Sequence, residues 1–148
     1  MTQGRWFTFT ESASEGTHHL GCRVILSHLW PSLASFDVNL VGLDDDTAIW
    51  DAVHDLGPYR IGKRGTRRQA DIVHLAPGRD EPALEAAMRL LTRTAGSAGF
   101  SAEDGSMIYD VNDGGTSCAF RLTPTQFIDI EAALKREGAP PSLLQPLS

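Results

Sequence analysis

The sequence predicts an α+β fold in which helices cover one face of an antiparallel β-sheet. Two observations predict it: short segments alternate between apolar and polar residues, whereas longer segments carry apolar residues at helical spacing, with Gly and Pro breaks between them. From residue 35 onward the predicted order is strand, helix, strand, strand, helix, strand, which is the βαββαβ order of a ferredoxin-like core. An added N-terminal β-hairpin and a C-terminal strand and helix are expected around this core.

Strands dominate the predicted N-terminal part of the chain. Residues 5–11 alternate in polarity and are rich in aromatic residues and threonine, which favours a strand. The run GCRVILSH, residues 21–28, is predicted to be its hairpin partner. In a third predicted strand, residues 35–43, the side chains of Phe36 and Val38 share one face.

A first helix is predicted over residues 44–57. Asp and Thr side chains favour its start because they accept hydrogen bonds from the free N–H groups of the first turn. Apolar residues then follow at i, i+4 and i+7, and a Gly-Pro pair ends the helix. Residues 59–63 and 70–76 are predicted to be two strands joined by a basic loop.

The second half of the chain contains clearer signals. A helix is predicted over residues 80–96, with Asp at its start and Gly at its end. Residues 106–122 are predicted to be a hairpin, because the NDGG segment between two apolar runs suits positive φ angles. The last helix is predicted to begin after Thr123, to form a capping box with Gln126, and to end at Gly138.

The 148 residues are expected to form one α+β domain, residues 1–138, followed by a Pro/Leu-rich tail, residues 139–148. The 41% hydrophobic and 22% charged residues are ordinary globular values, and a chain of this length buries about 70% of its unfolded surface. The leucines of the tail cannot form a stable helix among prolines. They therefore dock either on the domain itself or on a partner.

Composition argues against several classes of protein. The formal charge of −6 disfavours binding to nucleic acid or to an anionic membrane. The N-terminus lacks the basic start and apolar run of a secretory signal, and no apolar stretch is long enough to span a membrane. Cys22 and Cys118 lie 96 residues apart and are interpreted as buried or free thiols in a reducing compartment. The expected location is therefore cytoplasmic.

The positive charge is concentrated in one segment. Residues 60–69, RIGKRGTRRQ, hold five of the 13 Lys and Arg, and the rest of the chain has a net charge of −11. Lys63, Arg64, Arg67 and Arg68 can hold a phosphate or meet carboxylates on a partner, because the Arg fork donates two parallel hydrogen bonds to an oxyanion. The alternative is a solvated loop that pairs with the chain's own acids or deters edge aggregation.

An acidic run, formed by Asp44, Asp45 and Asp46, precedes the first predicted helix. Hard cations bind clustered carboxylates, but the calcium-loop pattern is absent and three consecutive residues rarely face one ion. Carboxylates at a helix start cap its N–H groups and meet the positive end of its dipole, which explains the run without a metal. No metal or other cofactor is expected, and in a complex the run would meet basic groups of a partner.

His54 and His74 are the candidates for acid–base chemistry. His54 follows Asp51 by three residues on the predicted helix, so an Asp–His hydrogen bond can orient a general base. His74, on a predicted strand, can face the same region. The sequence has no nucleophile elbow and no glycine-rich nucleotide motif, so no catalytic residue is assigned.

The leading hypothesis is a non-enzymatic protein-binding module, most concretely a bacterial-type immunity or inhibitor protein that occludes a toxin or enzyme. Segregated charge and the missing catalytic motifs favour it, since complementary charge accelerates association. One alternative is a small hydrolase or isomerase that uses His54 or His74, and another is an anion or nucleotide sensor that uses residues 60–68. A protein partner is expected, without nucleic acid or membrane, and a homodimer through exposed strand edges stays open.

Overall fold

A computed structural model gives the architecture and describes residues 4–39, 51–52, 54–55, 72–75, 81–91, 96–113 and 116–147. Residues 51, 52, 54 and 55 are helical and lie within the first predicted helix. The remaining elements, in chain order, are β1 (Arg5–Phe9), α1 (Glu15–Leu29), a 3₁₀ turn (Trp30–Ser32), β2 (Leu33–Asn39), β3 (Ile72–Leu75), α2 (Glu81–Leu90), β4 (Gly96–Ser101), β5 (Met107–Asn112), β6 (Ser117–Leu122), α3 (Pro124–Arg136) and β7 (Leu144–Pro146).

The described strands form one seven-stranded sheet in the order β3-β2-β4-β5-β6-β1-β7, and each neighbouring pair is antiparallel. Buried side chains from α1, α2 and α3 join those of the sheet in a single core. The predicted α+β class is therefore confirmed. The ferredoxin-like order stays a prediction, because the strand that it requires over residues 59–63 lies outside the described residues. None of the described helices is long and apolar enough to cross a bilayer.

A line of buried residues crosses the five middle strands, and we call it the covered row. Its members stand directly opposite one another in the register and comprise Phe36, Gly99, Tyr109, Phe120 and Phe7. The rings of Phe36 and Tyr109 lie 5.9 Å apart, and those of Tyr109 and Phe120 lie 5.4 Å apart. These distances are typical of packed aromatic pairs, so the row forms the floor on which the helices rest.

On four of these strands, a residue adjacent in sequence to the covered-row residue belongs to a second row, which we call the open row. It consists of Asp37, Ala98, Asp110 and Ala119, again directly opposite one another. All four remain partly exposed. Because side chains alternate between the faces of a sheet, the open row lies on the face opposite the covered row.

The prediction of a strand over residues 21–28 was wrong, because these residues lie inside α1. The helix begins at Ser14, whose hydroxyl accepts a hydrogen bond from the Thr17 N–H at 3.2 Å. Its buried residues recur at helical spacing: His18, Gly21, Cys22, Ile25, Leu26 and Leu29. The expected N-terminal hairpin is consequently not formed, and β1 pairs with β6 and β7 instead.

Close approach of α1 to the sheet depends on one glycine. A Cβ atom at Gly21 would lie within van der Waals overlap of the Phe9 ring, at 2.4 Å from its Cζ atom. Phe9 itself is buried and packs against Phe120 with ring centroids 5.2 Å apart. The missing side chain therefore lets the helix backbone rest directly on an aromatic residue of β1.

The C-terminal part of the described chain contains a hairpin and a helix. Strands β5 and β6 pair as the expected hairpin, and α3 follows at once. The Gln126 N–H donates to the Thr123 hydroxyl at 3.2 Å while the Thr123 N–H donates to the Gln126 side-chain oxygen at 2.9 Å, which completes the capping box. Gly138, at a φ of +86°, directly follows the last turn, where a residue with a side chain would be strained.

The tail docks on the domain itself through two of its leucines. Leu143 and Leu144 are buried, and β7 pairs with β1. The Leu143 carbonyl accepts a hydrogen bond from the Thr10 N–H at 2.8 Å. Leu147 differs, since it remains 48% exposed at the end of the chain. The contact of the tail with the domain thus adds an edge strand beside β1.

Candidate functional site

Both charged patches that the sequence singles out lie outside the described residues. They are the basic loop with Lys63, Arg64, Arg67 and Arg68, and the acidic run with Asp44, Asp45 and Asp46. Their role in partner binding stays a prediction. In the parts of the chain that are described, no group of three or more His, Cys, Asp or Glu side chains is placed to hold a metal ion.

The histidine hypothesis gains no support from the surroundings of His54. Its ring is 91% exposed, and its Nδ1 atom lies 4.0 Å from a carboxylate oxygen of Asp55. The other oxygen of Asp55 accepts a hydrogen bond from Arg89 of α2 at 2.5 Å. His74 lies on β3, opposite Asp37 in the register. The described residues therefore form no enclosed pocket around the His54 ring in which a substrate could be desolvated.

An apolar groove lies between the start of α3 and the strands β1 and β7, and we call it the α3 groove. Its volume is about 410 Å³. Phe7 and Phe127 form its floor, with their rings stacked 4.7 Å apart. Arg5 lies at its rim, and the other apolar lining residues are Leu122, Pro124, Ile128 and Pro146.

Ile128 is the unusual member of the α3 groove, because its side chain is 66% exposed. On α3, Ile130 and Leu134 are buried and Phe127 is partly buried against the core. Ile128 follows Phe127 by one residue, about 100° further round the helix, so it projects away from the core. Among the described residues, Ile128 and Leu147 are the large hydrophobic side chains that remain exposed.

A second concave region, which we call the thiol cleft, lies between β1, the start of α1 and the start of β6. Its volume is about 450 Å³. Cys118 lines it together with Thr8, Ser117 and His18, and its wall also includes two carboxylates, Glu11 and Glu15. The Thr8 hydroxyl donates a hydrogen bond to the Cys118 carbonyl at 2.6 Å and lies 4.0 Å from the Cys118 sulfur.

The fold brings Cys22 and Cys118 together behind this cleft. A hydrogen bond between the two thiols raises the pKa of Cys22, which is also buried, and lowers the pKa of Cys118. The backbone of Phe9 also helps to lower the pKa of Cys118, whereas partial burial opposes the decrease. The pair is therefore asymmetric: Cys118 is the thiol that loses its proton more easily.

His18 faces the same cleft from α1, one turn before Cys22. It is 9% exposed, and its Nδ1 atom is buried without a hydrogen bond to any part of the chain that the structure describes. Burial lowers its pKa, with a smaller effect from neighbouring His19. The edge of its ring meets Phe9 at a centroid distance of 5.5 Å.

Buried polar groups continue from the thiols into the core. Tyr109 is fully buried, and burial raises its pKa well above the ordinary value, with a further rise from Cys22. The Ser97 hydroxyl opposes that rise, although the two hydroxyls make no well-formed hydrogen bond. The Tyr109 hydroxyl is thus a buried polar group of the covered row, and both thiols raise its pKa further.

Neither the α3 groove nor the thiol cleft was predicted from the sequence. Two signals were available: Ile128 lies off the apolar stripe of a well-capped helix, and His18 and Cys22 have the four-residue spacing of one helix face. No model of a protein family, no curated protein and no solved structure matches the chain. Any inference about function therefore rests on the geometry of these two places.

Proposed function

We propose that the chain is a non-enzymatic protein-binding module, most concretely an immunity or inhibitor protein that occludes a toxin or enzyme. The observation that carries the proposal is the α3 groove, where Ile128 stays 66% exposed beside a floor of packed aromatic rings. Clustered exposed apolar surface of this kind marks interaction sites, whereas single exposed apolar residues are ordinary.

The groove defines the chemistry of the partner segment. Its apolar lining suits an apolar side chain, and full burial of a residue such as Ile contributes about 1.5–3 kcal/mol. Arg5 at the rim offers a guanidinium group, which pairs best with a carboxylate. The expected partner surface therefore presents an apolar side chain flanked by an acidic residue.

In this proposal the charged patches increase the rate of association with the partner, whereas the apolar contact in the α3 groove slows dissociation. Lys63, Arg64, Arg67 and Arg68 would meet acidic groups of the partner, and Asp44, Asp45 and Asp46 would meet basic groups. Such complementary charge accelerates association more than it deepens affinity. In this proposal, salt slows binding, and the apolar anchor determines how long the complex lasts.

The proposal is tested with the tagged full chain and two variants. Ile128→Arg places a charge in the groove, whereas Ala34→Arg places the same charge at an exposed position of β2, which does not line the groove. Proteins captured from the source cell by the wild-type chain are identified by mass spectrometry, and the stoichiometric one is purified for calorimetry. We expect Ile128→Arg to weaken its binding at least tenfold, about 1.4 kcal/mol, and Ala34→Arg to leave it unchanged.

Three results would overturn the proposal. One is equal affinity of both variants for the captured protein. Another is the absence of any stoichiometric protein at low and at moderate salt. The third is that light scattering shows a dimer of the chain that Ile128→Arg dissociates, since a second copy would then occupy the α3 groove.

A further inference from the structure

Two thiols that are distant in sequence are neighbours in the fold but differ in access. Cys22 lies on the core side of α1 and is completely buried. Cys118, on β6, is partly exposed and lines the thiol cleft. A reagent that enters the cleft therefore meets Cys118 first, and Cys22 stands behind it within hydrogen-bonding reach.

We propose that Cys118 is a site of oxidation by a small neutral peroxide, and that Cys22 resolves the product into an intramolecular disulfide. In the first step the Cys118 thiolate attacks one peroxide oxygen, the O–O bond breaks, and protonation of the leaving oxygen releases water, which leaves a sulfenic acid. In the second step the Cys22 sulfur displaces the sulfenic hydroxyl as a second water. The peroxide is reduced by two electrons, and the two thiols are oxidised to one disulfide.

The surroundings of Cys118 suit the first step. Its attacking form is the thiolate, and the hydrogen bond from Cys22 lowers the pKa of Cys118. The same hydrogen bond makes Cys22 a neighbour of Cys118. His18 lines the same cleft, and its Nδ1 atom is buried without a hydrogen bond to the described chain.

The charge of the cleft selects the class of oxidant. Glu11 and Glu15 lie in its wall, and no Lys or Arg is among its described lining residues. Anionic disulfides such as oxidised glutathione are repelled by these carboxylates, whereas hydrogen peroxide is neutral. The inference goes beyond the proposed function and does not depend on it, because the α3 groove shares no lining residue with the cleft.

The experiment uses the reduced full chain, treated with hydrogen peroxide and quenched with N-ethylmaleimide. Intact mass spectrometry should show the loss of two hydrogen atoms, and peptide mapping should find a peptide in which Cys22 is linked to Cys118. We expect oxidation at least tenfold faster than that of free cysteine under the same conditions. Oxidised glutathione should react at least tenfold more slowly than peroxide at equal concentration.

Two variants separate the roles of the thiols. Cys118→Ser should abolish the intramolecular disulfide and leave Cys22 unmodified in the folded chain. Cys22→Ala should leave a sulfenic acid at Cys118 that dimedone traps, and it should move the midpoint of the pH profile of Cys118 alkylation upward, because Ala donates no hydrogen bond. Circular dichroism establishes that each variant is folded, and the mapping of the wild-type chain tests the proposal without any variant.

The proposal is overturned by any of three findings in the wild-type chain. These are a disulfide that forms only between chains, oxidation of Cys118 no faster than that of free cysteine, and direct oxidation of Cys118 to a sulfinic acid while Cys22 stays reduced. Each would mean that the two thiols are neighbours in the core without acting as a pair.

Discussion

The two faces of the sheet belong to the same strands but differ in the type and burial of their side chains. The covered row, from Phe36 to Phe7, is aromatic except at Gly99, whereas the open row alternates Asp37 and Asp110 with two alanines. Neighbouring residues along one strand therefore range from a fully buried ring to a partly exposed carboxylate. The difference lies in what covers each face.

This contrast shows where the molecule tolerates change. The covered row is buried, so lost volume there leaves a cavity and added volume must displace a neighbour. The side chains of the open row are partly exposed, so a substitution of similar size there is expected to change stability less. Three measurements test this contrast.

Truncation in the middle of the covered row should have the largest effect. Phe120 is fully buried and packs against both Tyr109 and Phe9. Phe120→Ala should lower the free energy of unfolding by about 3–5 kcal/mol, because it removes buried apolar area and leaves a cavity. Urea denaturation followed by circular dichroism measures the change.

The matched control is Asp110→Asn on the open row. It keeps the size of the side chain and an oxygen that can accept from Asn112, which donates to Asp110 at 3.0 Å. Its effect should stay within about 0.5 kcal/mol, as for most surface substitutions. Equal losses in both variants would show that the two rows are packed alike.

The second measurement tests how closely α1 packs against β1. Gly21→Ala places a methyl group against the Phe9 ring, at 2.4 Å from Cζ, and should cost about 1–3 kcal/mol in spite of the higher helix propensity of Ala. Thermal unfolding with calorimetric enthalpies gives the change in free energy.

Gly16 of the same helix is its control, because a Cβ atom there meets nothing within 4 Å. Gly16→Ala should stabilise the protein by about 0.5–1 kcal/mol, the ordinary propensity gain. If both variants were stabilised, the ring of Phe9 would have to move aside easily, and close packing of α1 would not be required.

The smallest effect concerns the one polar atom of the covered row. Tyrosine in an unfolded chain titrates near pH ~10, whereas burial raises the pKa of Tyr109 well above that. Between these two values the native state keeps a proton that the unfolded state has lost, so stability falls as pH rises. For one group this slope is about 1.4 kcal/mol per pH unit.

Tyr109→Phe should remove the contribution of this hydroxyl to the fall in the free energy of unfolding at alkaline pH. Below pH ~10 its stability should stay within about 1 kcal/mol of the wild type, because the lost hydroxyl makes no well-formed hydrogen bond. Urea unfolding of both chains from about pH 8 to about pH 11 measures the difference. Parallel slopes for the two chains would contradict the burial of an ionisable hydroxyl in the covered row.

The sequence is a good guide where structure depends on close neighbours. The capping box of α3 joins Thr123 and Gln126, three residues apart, and both hydrogen bonds are present. It is a poor guide for residues 21–28, because a run of eight mostly apolar residues satisfies a strand pattern as well as a helix pattern. Only the longer stripe that begins at His18 distinguishes the two.

Composition, caps and turns by themselves determined the α+β class, the β5–β6 hairpin and the limits of α3, since each depends on contacts within a few residues. Tertiary structure alone decided the sheet order, the meeting of Cys22 with Cys118, and the groove that leaves Ile128 exposed beside Phe7. These features join segments that are far apart along the chain. The reason is physical: burial of apolar area is not directional, so a sequence shows which residues seek a core but not which distant segments share it.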